Sequence, residues 1–321
     1  MAMPSCQGRS TLLQRSLVLV WLSWLSLVGC QQSTSSTAAD SAERFAVTTS
    51  IATAPVAAGS NHNRPLWANG FTQSDWRSRW HIRKEKDWGW QNAAVIADPS
   101  QQFSKILRVR YPAGSASPAV ARKTGVSVGG LQFYANLGLP PQDSLRLSYH
   151  VRFAKDFDFV KGGKLPGLFG GKGASGGNIP DGTDGFSTRF MWRSQGKGEV
   201  YAYLPSSDEY GTSIGRGKWR FTPGVWHRLE QQVDLNQVGQ NNGRIQVWLD
   251  GKPVFSKSNL TFRTTSALKI EGIFFSTFFG GGDRSWATPN DTYVDFADFA
   301  VFSTGRSSHS VNRVETMPLT P

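Results

Sequence analysis

From Leu145 to Phe153 every second residue is large and apolar, and this constrains the fold more than any other feature of the chain. Leu145, Leu147, Tyr149, Val151 and Phe153 alternate with Arg146, Ser148, His150 and Arg152. A period of two puts the first set on one face of a strand and the second on the other, whereas a helix would scatter both around its surface. The segment is therefore a strand with one buried and one polar face. The same alternation sets Leu107, Val109 and Tyr111 against Arg108 and Arg110, and it aligns Leu229, Val233 and Leu235. Arg244 to Phe255 reads as strand, Asp250-Gly251 turn and strand, and Tyr293 to Phe302 as a further strand. No run of helical period is long enough to compete. The expected fold class is all-β, an antiparallel β-sandwich of jelly-roll type.

The two ends of the chain stand apart from this pattern. Arg9 and Arg15 precede an apolar run, Leu17 to Val28, that is too short and too early for a mature membrane span. Residues 1–29 read as a signal peptide ending in Leu27-Val-Gly-Cys30, which resembles a bacterial lipobox with Cys30 as the lipidated residue. Residues 30–63 are rich in Ser, Thr, Ala and Gln and carry few large apolar groups, as a flexible tether does. Residues 64–302 form the expected single domain, and 303–321 the expected disordered tail. The expected address is the bacterial cell envelope, exported and lipid-anchored. With Cys6 removed and Cys30 acylated, neither a disulfide framework nor a cysteine metal site is available.

The formal charge is +12, and loss of Arg9 and Arg15 leaves +10. A basic surface concentrates polyanions. The lysines and arginines are scattered, and neither a zinc finger nor an RNA-binding signature is present, so nucleic acid is not the expected partner. An acidic polysaccharide is, bound by a monomer.

The chemistry concentrates in the middle of the chain. Ser187 and Arg189 are two residues apart, as are Tyr201 and Tyr203, so each pair leaves one face of its strand. A turn at Arg193–Lys197 centred on Gln195 sets partners whose numbers sum to 390. Ser187 then faces Tyr203 and Arg189 faces Tyr201, with Cβ atoms roughly 4.5–5.5 Å apart. The opposite face carries Phe186, Thr188, Phe190 and Trp192 with Val200, Ala202 and Leu204, apolar enough for a core. Just upstream, Lys161-Gly-Gly-Lys-Leu-Pro-Gly-Leu-Phe-Gly-Gly171 reads as a glycine-rich bend, stiffened by Pro166, that aims Lys164 into a groove.

The strings Asp158–Leu168, Ser187-Thr-Arg189, Tyr201-Ala-Tyr203, Gly272–Gly281 and the later Trp286 resemble those of polysaccharide lyase family 14, over roughly Ile106 to Phe302. The resemblance implies a β-jelly roll and β-elimination on polyuronates such as alginate and glucuronan. It matches Lys164 to the family's essential lysine, and Ser187, Arg189, Tyr201 and Tyr203 to its other active-site positions.

The residue types suit that reaction independently. Elimination removes H5, which lies α to a carboxylate, so the carboxylate charge must be neutralised and the developing enolate stabilised. Arg189 can grip a carboxylate with two parallel donors, and Ser187 can add a hydroxyl. A base and an acid are also needed. Lys164 and one of Tyr201 and Tyr203 are the candidates, with the roles open at this level. Trp286 is a candidate for stacking on a sugar and Arg110 for contact with the acidic substrate. No cofactor and no metal are expected: Asp181-Gly-Thr-Asp-Gly185 is read as a plain turn rather than a calcium loop, and the five histidines show no ligand spacing. Two other classes stay open. A glycoside hydrolase needs paired carboxylates, and the hairpin offers Glu199 alone; a non-catalytic carbohydrate-binding domain would not need the lysine, serine, arginine and tyrosines together.

Overall fold

The computed structural model describes residues 64–304. The signal segment, Cys30, the tether and the tail beyond residue 304 lie outside the described residues. Fourteen strands follow in order: β1 (Trp67–Asn69), β2 (Ala93–Ala97), β3 (Lys105–Tyr111), β4 (Leu131–Ala135), β5 (Ser144–Phe153), β6 (Gly162–Gly171), β7 (Gly185–Arg193), β8 (Gly198–Tyr203), β9 (Thr212–Ile214), β10 (His227–Asp234), β11 (Gly243–Leu249), β12 (Lys252–Leu260), β13 (Ile270–Phe279) and β14 (Thr292–Ser303). Two short helices, α1 (Trp76–Arg79) and α2 (Pro118–Thr124), sit before β2 and β4.

The strands form two antiparallel sheets packed face to face, an all-β sandwich. One runs β12-β11-β10-β5-β14-β3-β2 with β1 added beside β14; the other runs β4-β13-β6-β7-β8-β9. The alternation of β5 is realised as expected, with Leu145, Leu147, Tyr149, Val151 and Phe153 all in the core between the sheets. The turn at Asp250-Gly251 has positive φ at both residues (53° and 76°), the mirror-image geometry that matches strand twist.

The core is unusually aromatic. Phe133 stacks on Phe275 at 4.7 Å and on Trp90 at 5.2 Å, while Trp192 meets Phe153, Phe157 and Phe279 edge-on at 5.3–5.6 Å. Each fully buried ring of this kind is worth about 1.5–3 kcal/mol of transfer free energy, so the sandwich is a rigid base for whatever its outer faces carry.

One sequence expectation is corrected here. The stretch holding Lys164 is not a bend but β6, an inner strand between β13 and β7. Glycine and proline are depleted in such strands, yet here their smallness is what the packing requires. A Cβ at Gly163 would lie 2.1 Å from the Trp192 ring, and one at Gly167 2.1 Å from the carbonyl oxygen of Thr188. Pro166 falls where the β6–β7 register jumps from Leu165↔Phe190 to Gly167↔Arg189. Such a bulge, with one extra residue, reverses the alternation. Leu165 and Leu168 can therefore both enter the core, while Lys164 shares the outer face with Phe169.

Candidate active site

The β7–β8 register pairs Ser187 with Tyr203 and Arg189 with Tyr201. On the other side of β7, Lys164 is paired with Met191. The bulge and the hairpin thus bring Lys164, Ser187, Arg189, Tyr201 and Tyr203 onto the outer face of the six-stranded sheet. Phe186, Phe190, Trp192, Val200, Ala202 and Leu204 line the core beneath.

Most of these side chains are buried on that face rather than open to solvent. Lys164 is 8% exposed, Arg189 and Tyr203 are 2% exposed, and Ser187 is fully buried. Lys164 Nζ lies 3.0 Å from Met191 Sδ and 4.1 Å from the centroid of the Tyr201 ring. Arg189 packs over Phe274 at 4.6 Å and donates from Nη1 to Ser276 Oγ at 3.1 Å, while its buried Nε has no hydrogen-bond partner. A buried guanidinium with an unpaired donor favours an anion beside it.

Burial, reinforced by the positive charges of Arg189 and Arg193, holds the Lys164 amine well below the usual lysine range; Glu199 pulls weakly the other way. Burial pushes the Tyr201 phenol up to about 12, and the neighbouring Tyr203 adds to the rise. The amine is thereby made a base and the phenol is kept as a proton donor, two environments that drive the pair apart. A stability effect follows. The unfolded chain holds the Lys164 proton up to a pH of roughly 10.4, whereas the folded chain releases it earlier. Between those values the unfolded state binds more protons, so stability rises with pH. Lys164→Met is expected to melt higher than wild type at neutral pH, with the advantage shrinking as the pH approaches that of an ordinary lysine. A melting advantage that stays constant from pH 7 to 10 contradicts a depressed lysine.

Of the expected site residues, Ser187 keeps its position with its hydroxyl already engaged, and Arg110 lies elsewhere. Ser187 Oγ donates to the carbonyl of Ala174 at 2.7 Å, so its hydroxyl fastens the 172–184 loop, and the residue is fully buried. Arg110 lies on β3, opposite Tyr293, in the other sheet. Val109 and Tyr111 on either side of it face the core, which turns Arg110 to the outer surface of the eight-stranded sheet, away from the other candidates. Tyr203 is tied to the same loop as Ser187, its hydroxyl accepting from Gly177 N–H at 3.2 Å. Trp286, partly buried, follows β13 in a short turn of 3-10 helix (Arg284–Trp286), with the Arg193 guanidinium 5.7 Å from its ring. It borders the groove at the Arg193 end. Asp181 accepts from the backbone N–H and hydroxyl of Thr183 at 2.7 and 2.6 Å, the closed turn expected for it. Among the described residues no cluster of three or more His, Cys, Asp or Glu could hold a metal ion.

Residue-by-residue reading gave Arg193 only a place in the turn and Glu199 only that of a lone carboxylate, and it missed Met191 and Tyr134, all of which border the site. Arg193 and Glu199 lie on the same face as Arg189 and Tyr201, and simple extension of the parity would have found them. Met191 was equally legible. Tyr134 was not: it reaches the groove only because β4 pairs with β13, stacking its ring on Phe274 at 4.0 Å.

Comparison with known proteins agrees with this geometry. The family model Polysaccharide lyase 14 matches residues 99–299. The PL-14 alginate lyase of Aplysia kurodai shares 32% sequence identity and superposes with a TM-score of 0.64, covering 75% of this chain and 99% of that one. Alginate lyase vAL-1 from a Chlorella virus, at 24% identity, has the same fold with a TM-score of 0.60 over 70% of this chain and 93% of its own. Exolysin of Paramecium bursaria Chlorella virus 1 is 26% identical over 216 residues, which is 54% of this chain and 32% of Exolysin. The chain thus spans about a third of the length of that curated relative.

Proposed function

The chain belongs to the polysaccharide lyase 14 family, and from that premise we propose that it cleaves an acidic polyuronate, alginate or glucuronan, by β-elimination. The observation that carries the reading is a buried amine, Lys164, 4.1 Å from the ring of a phenol whose pKa is raised to about 12, beside a buried arginine with an unused donor.

In this reading Arg189 binds the C6 carboxylate of the unit to be cleaved and offsets its charge, which lowers the cost of forming the enolate. The neutral Lys164 amine takes H5. The electron pair left at C5 forms the C4–C5 double bond as the C4–O4 bond breaks, and Tyr201 gives its proton to the departing O4. One product ends in an unsaturated uronate and the other in a free hydroxyl. Ser187 and Tyr203 act through the 172–184 loop, holding one wall of the groove. Trp286 offers a stacking surface at the Arg193 end. For the hydrolase alternative, Glu199 is already bound to Arg193 and Arg216 and is not free to act as an acid or a nucleophile. A purely binding role gives no reason for a buried lysine.

The decisive test is incubation of the purified protein with polymannuronate, polyguluronate and polyglucuronate while following the near-ultraviolet absorbance of unsaturated ends. The absorbance should rise with at least one polymer and should persist with a chelator present; no rise with any of the three would remove the proposal. Loss of activity on chelation with recovery on added calcium would restore the Asp181–Asp184 segment as a metal loop.

We further propose that the protein is exported and anchored to the envelope through an acylated Cys30, on the strength of Leu27-Val-Gly-Cys30. Cys30→Ala should abolish acylation and release the protein from membranes. Unchanged partition of that variant, with no lipid detected by mass spectrometry, contradicts the anchor.

A further inference from the structure

Beside the reaction centre lies an arrangement that elimination at Lys164 does not require. Glu199 is fully buried and serves two guanidinium groups at once. Its Oε1 accepts from Arg193 Nε and Nη2 at 2.8 and 2.6 Å, and its Oε2 from Arg216 Nε at 2.6 Å. Ser213 Oγ accepts from Nη2 of both arginines, at 3.3 Å from Arg193 and 2.7 Å from Arg216. Among the described residues, Nη1 of neither arginine has a hydrogen-bond partner. One carboxylate against two guanidinium groups leaves a net positive charge. Two arginines so close repel one another unless an anion lies between them, and the buried anion supplied is enough to fix both but not to neutralise both.

The position is suggestive as well as the charge. The register Lys164↔Met191↔Glu199 runs straight across β6, β7 and β8, so Glu199 stands two strand spacings from Lys164, roughly 9.5 Å. Arg193 lies 5.9 Å from the Tyr201 ring and 5.7 Å from the Trp286 ring. A cation flanked by aromatic faces, with a free donor edge, matches a uronate unit, which presents an apolar ring face and a carboxylate together. The side chain of Arg216 is 52% exposed and that of Arg193 12%, so the pair joins the buried groove to the surface.

We propose that Arg193 and Arg216, positioned by Glu199, form a second carboxylate-binding subsite that holds a neighbouring uronate unit of the same polymer while Arg189 holds the unit being cleaved. The inference rests on the polyuronate reading above, and it adds a residue set that ties the enzyme to a polyanion rather than to a single acidic sugar.

Binding measured apart from turnover tests it. In a Lys164→Ala background, calorimetric titration with a uronate tetrasaccharide should show about tenfold weaker binding when Arg216→Gln is added, the loss of one charge-assisted hydrogen bond. Arg193→Gln should weaken binding at least as much. Should that more buried change fail to fold, the half-exposed Arg216 decides the matter alone. A carboxyl-reduced tetrasaccharide of the same linkage should bind parent and variant equally. Unchanged uronate affinity in Arg216→Gln overturns the subsite, and so does an equal loss with the carboxyl-reduced ligand. The two readings separate cleanly. A wild type that eliminates polyuronate while Arg216→Gln binds normally removes the subsite and keeps the lyase. A wild type without elimination activity, whose uronate affinity still depends on Arg216, does the reverse.

Discussion

Lys164→Ala is expected to lower turnover by roughly 10²–10⁴-fold, the usual contribution of a positioned general base, with folding and polymer binding largely retained. Lys164→Arg should fail as well. A guanidinium keeps its proton at any workable pH, and a third fixed cation beside Arg189 and Arg193 would add repulsion where the native amine escapes it by going neutral. The pH profile carries independent information. The ascending limb of kcat/KM should fall below the ordinary lysine range, because burial and the two arginines release the amine's proton early. The phenol of Tyr201, pushed up to about 12, stays protonated across that whole range. A Lys164→Arg enzyme with near-native turnover would refute proton transfer by this residue and leave only charge neutralisation. A fully active Lys164→Ala would make the lysine a bystander.

Arg189→Lys is the second large effect expected. The substitution loses the planar fork, so a bidentate grip on the carboxylate becomes a single-point contact, and burial disfavours the charged form of an amine at this position. Donors aimed at developing charge are typically worth 10²–10³ in kcat, and a loss of about that size should appear in kcat more than in KM. The contacts that the Arg189 guanidinium now makes with Phe274 and Ser276 would be weakened as well, so some loss of melting temperature is expected beside the loss of rate. Steady-state kinetics on the preferred polyuronate, with a thermal melt alongside, checks both parts. A rate within a few-fold of wild type would show that Arg189 supports the groove without holding the reacting unit.

How far the site could be read in advance depended on how local its determinants are. The hairpin register was legible because strand parity and a short turn at Gln195 define it within a few residues. The face of Lys164 was not, since the bulge at Pro166 reverses the alternation and becomes visible only when β6 is paired with β7. A glycine-rich run looks like a bend until the Trp192 ring and the β7 backbone are seen to fill the space the side chains lack. Ser187 was legible in position, but not the partner of its hydroxyl, because the Ala174 carbonyl that accepts its hydrogen bond belongs to the 172–184 loop. For Arg110 the alternation did indicate a polar, outward face. What it could not indicate was which sheet that face belonged to, a matter settled by the pairing of β3 with β14 nearly two hundred positions away.

The sequence by itself determined the strands that alternate clearly, among them β3, β5, β14 and the β7–β8 hairpin, with their buried faces, the sandwich class and the two-by-two polar patch of the hairpin, because a period of two is imposed by backbone geometry on each strand separately. Only the tertiary structure decided the chemistry of that patch. Pairing β6 beside β7, and folding loops over the sheet, removed water from Lys164 and Tyr201 and placed Arg189, Arg193 and Glu199 around them. A side chain's pKa and its free donors are properties of the surroundings that distant segments assemble, and those surroundings are written in no single stretch of the chain.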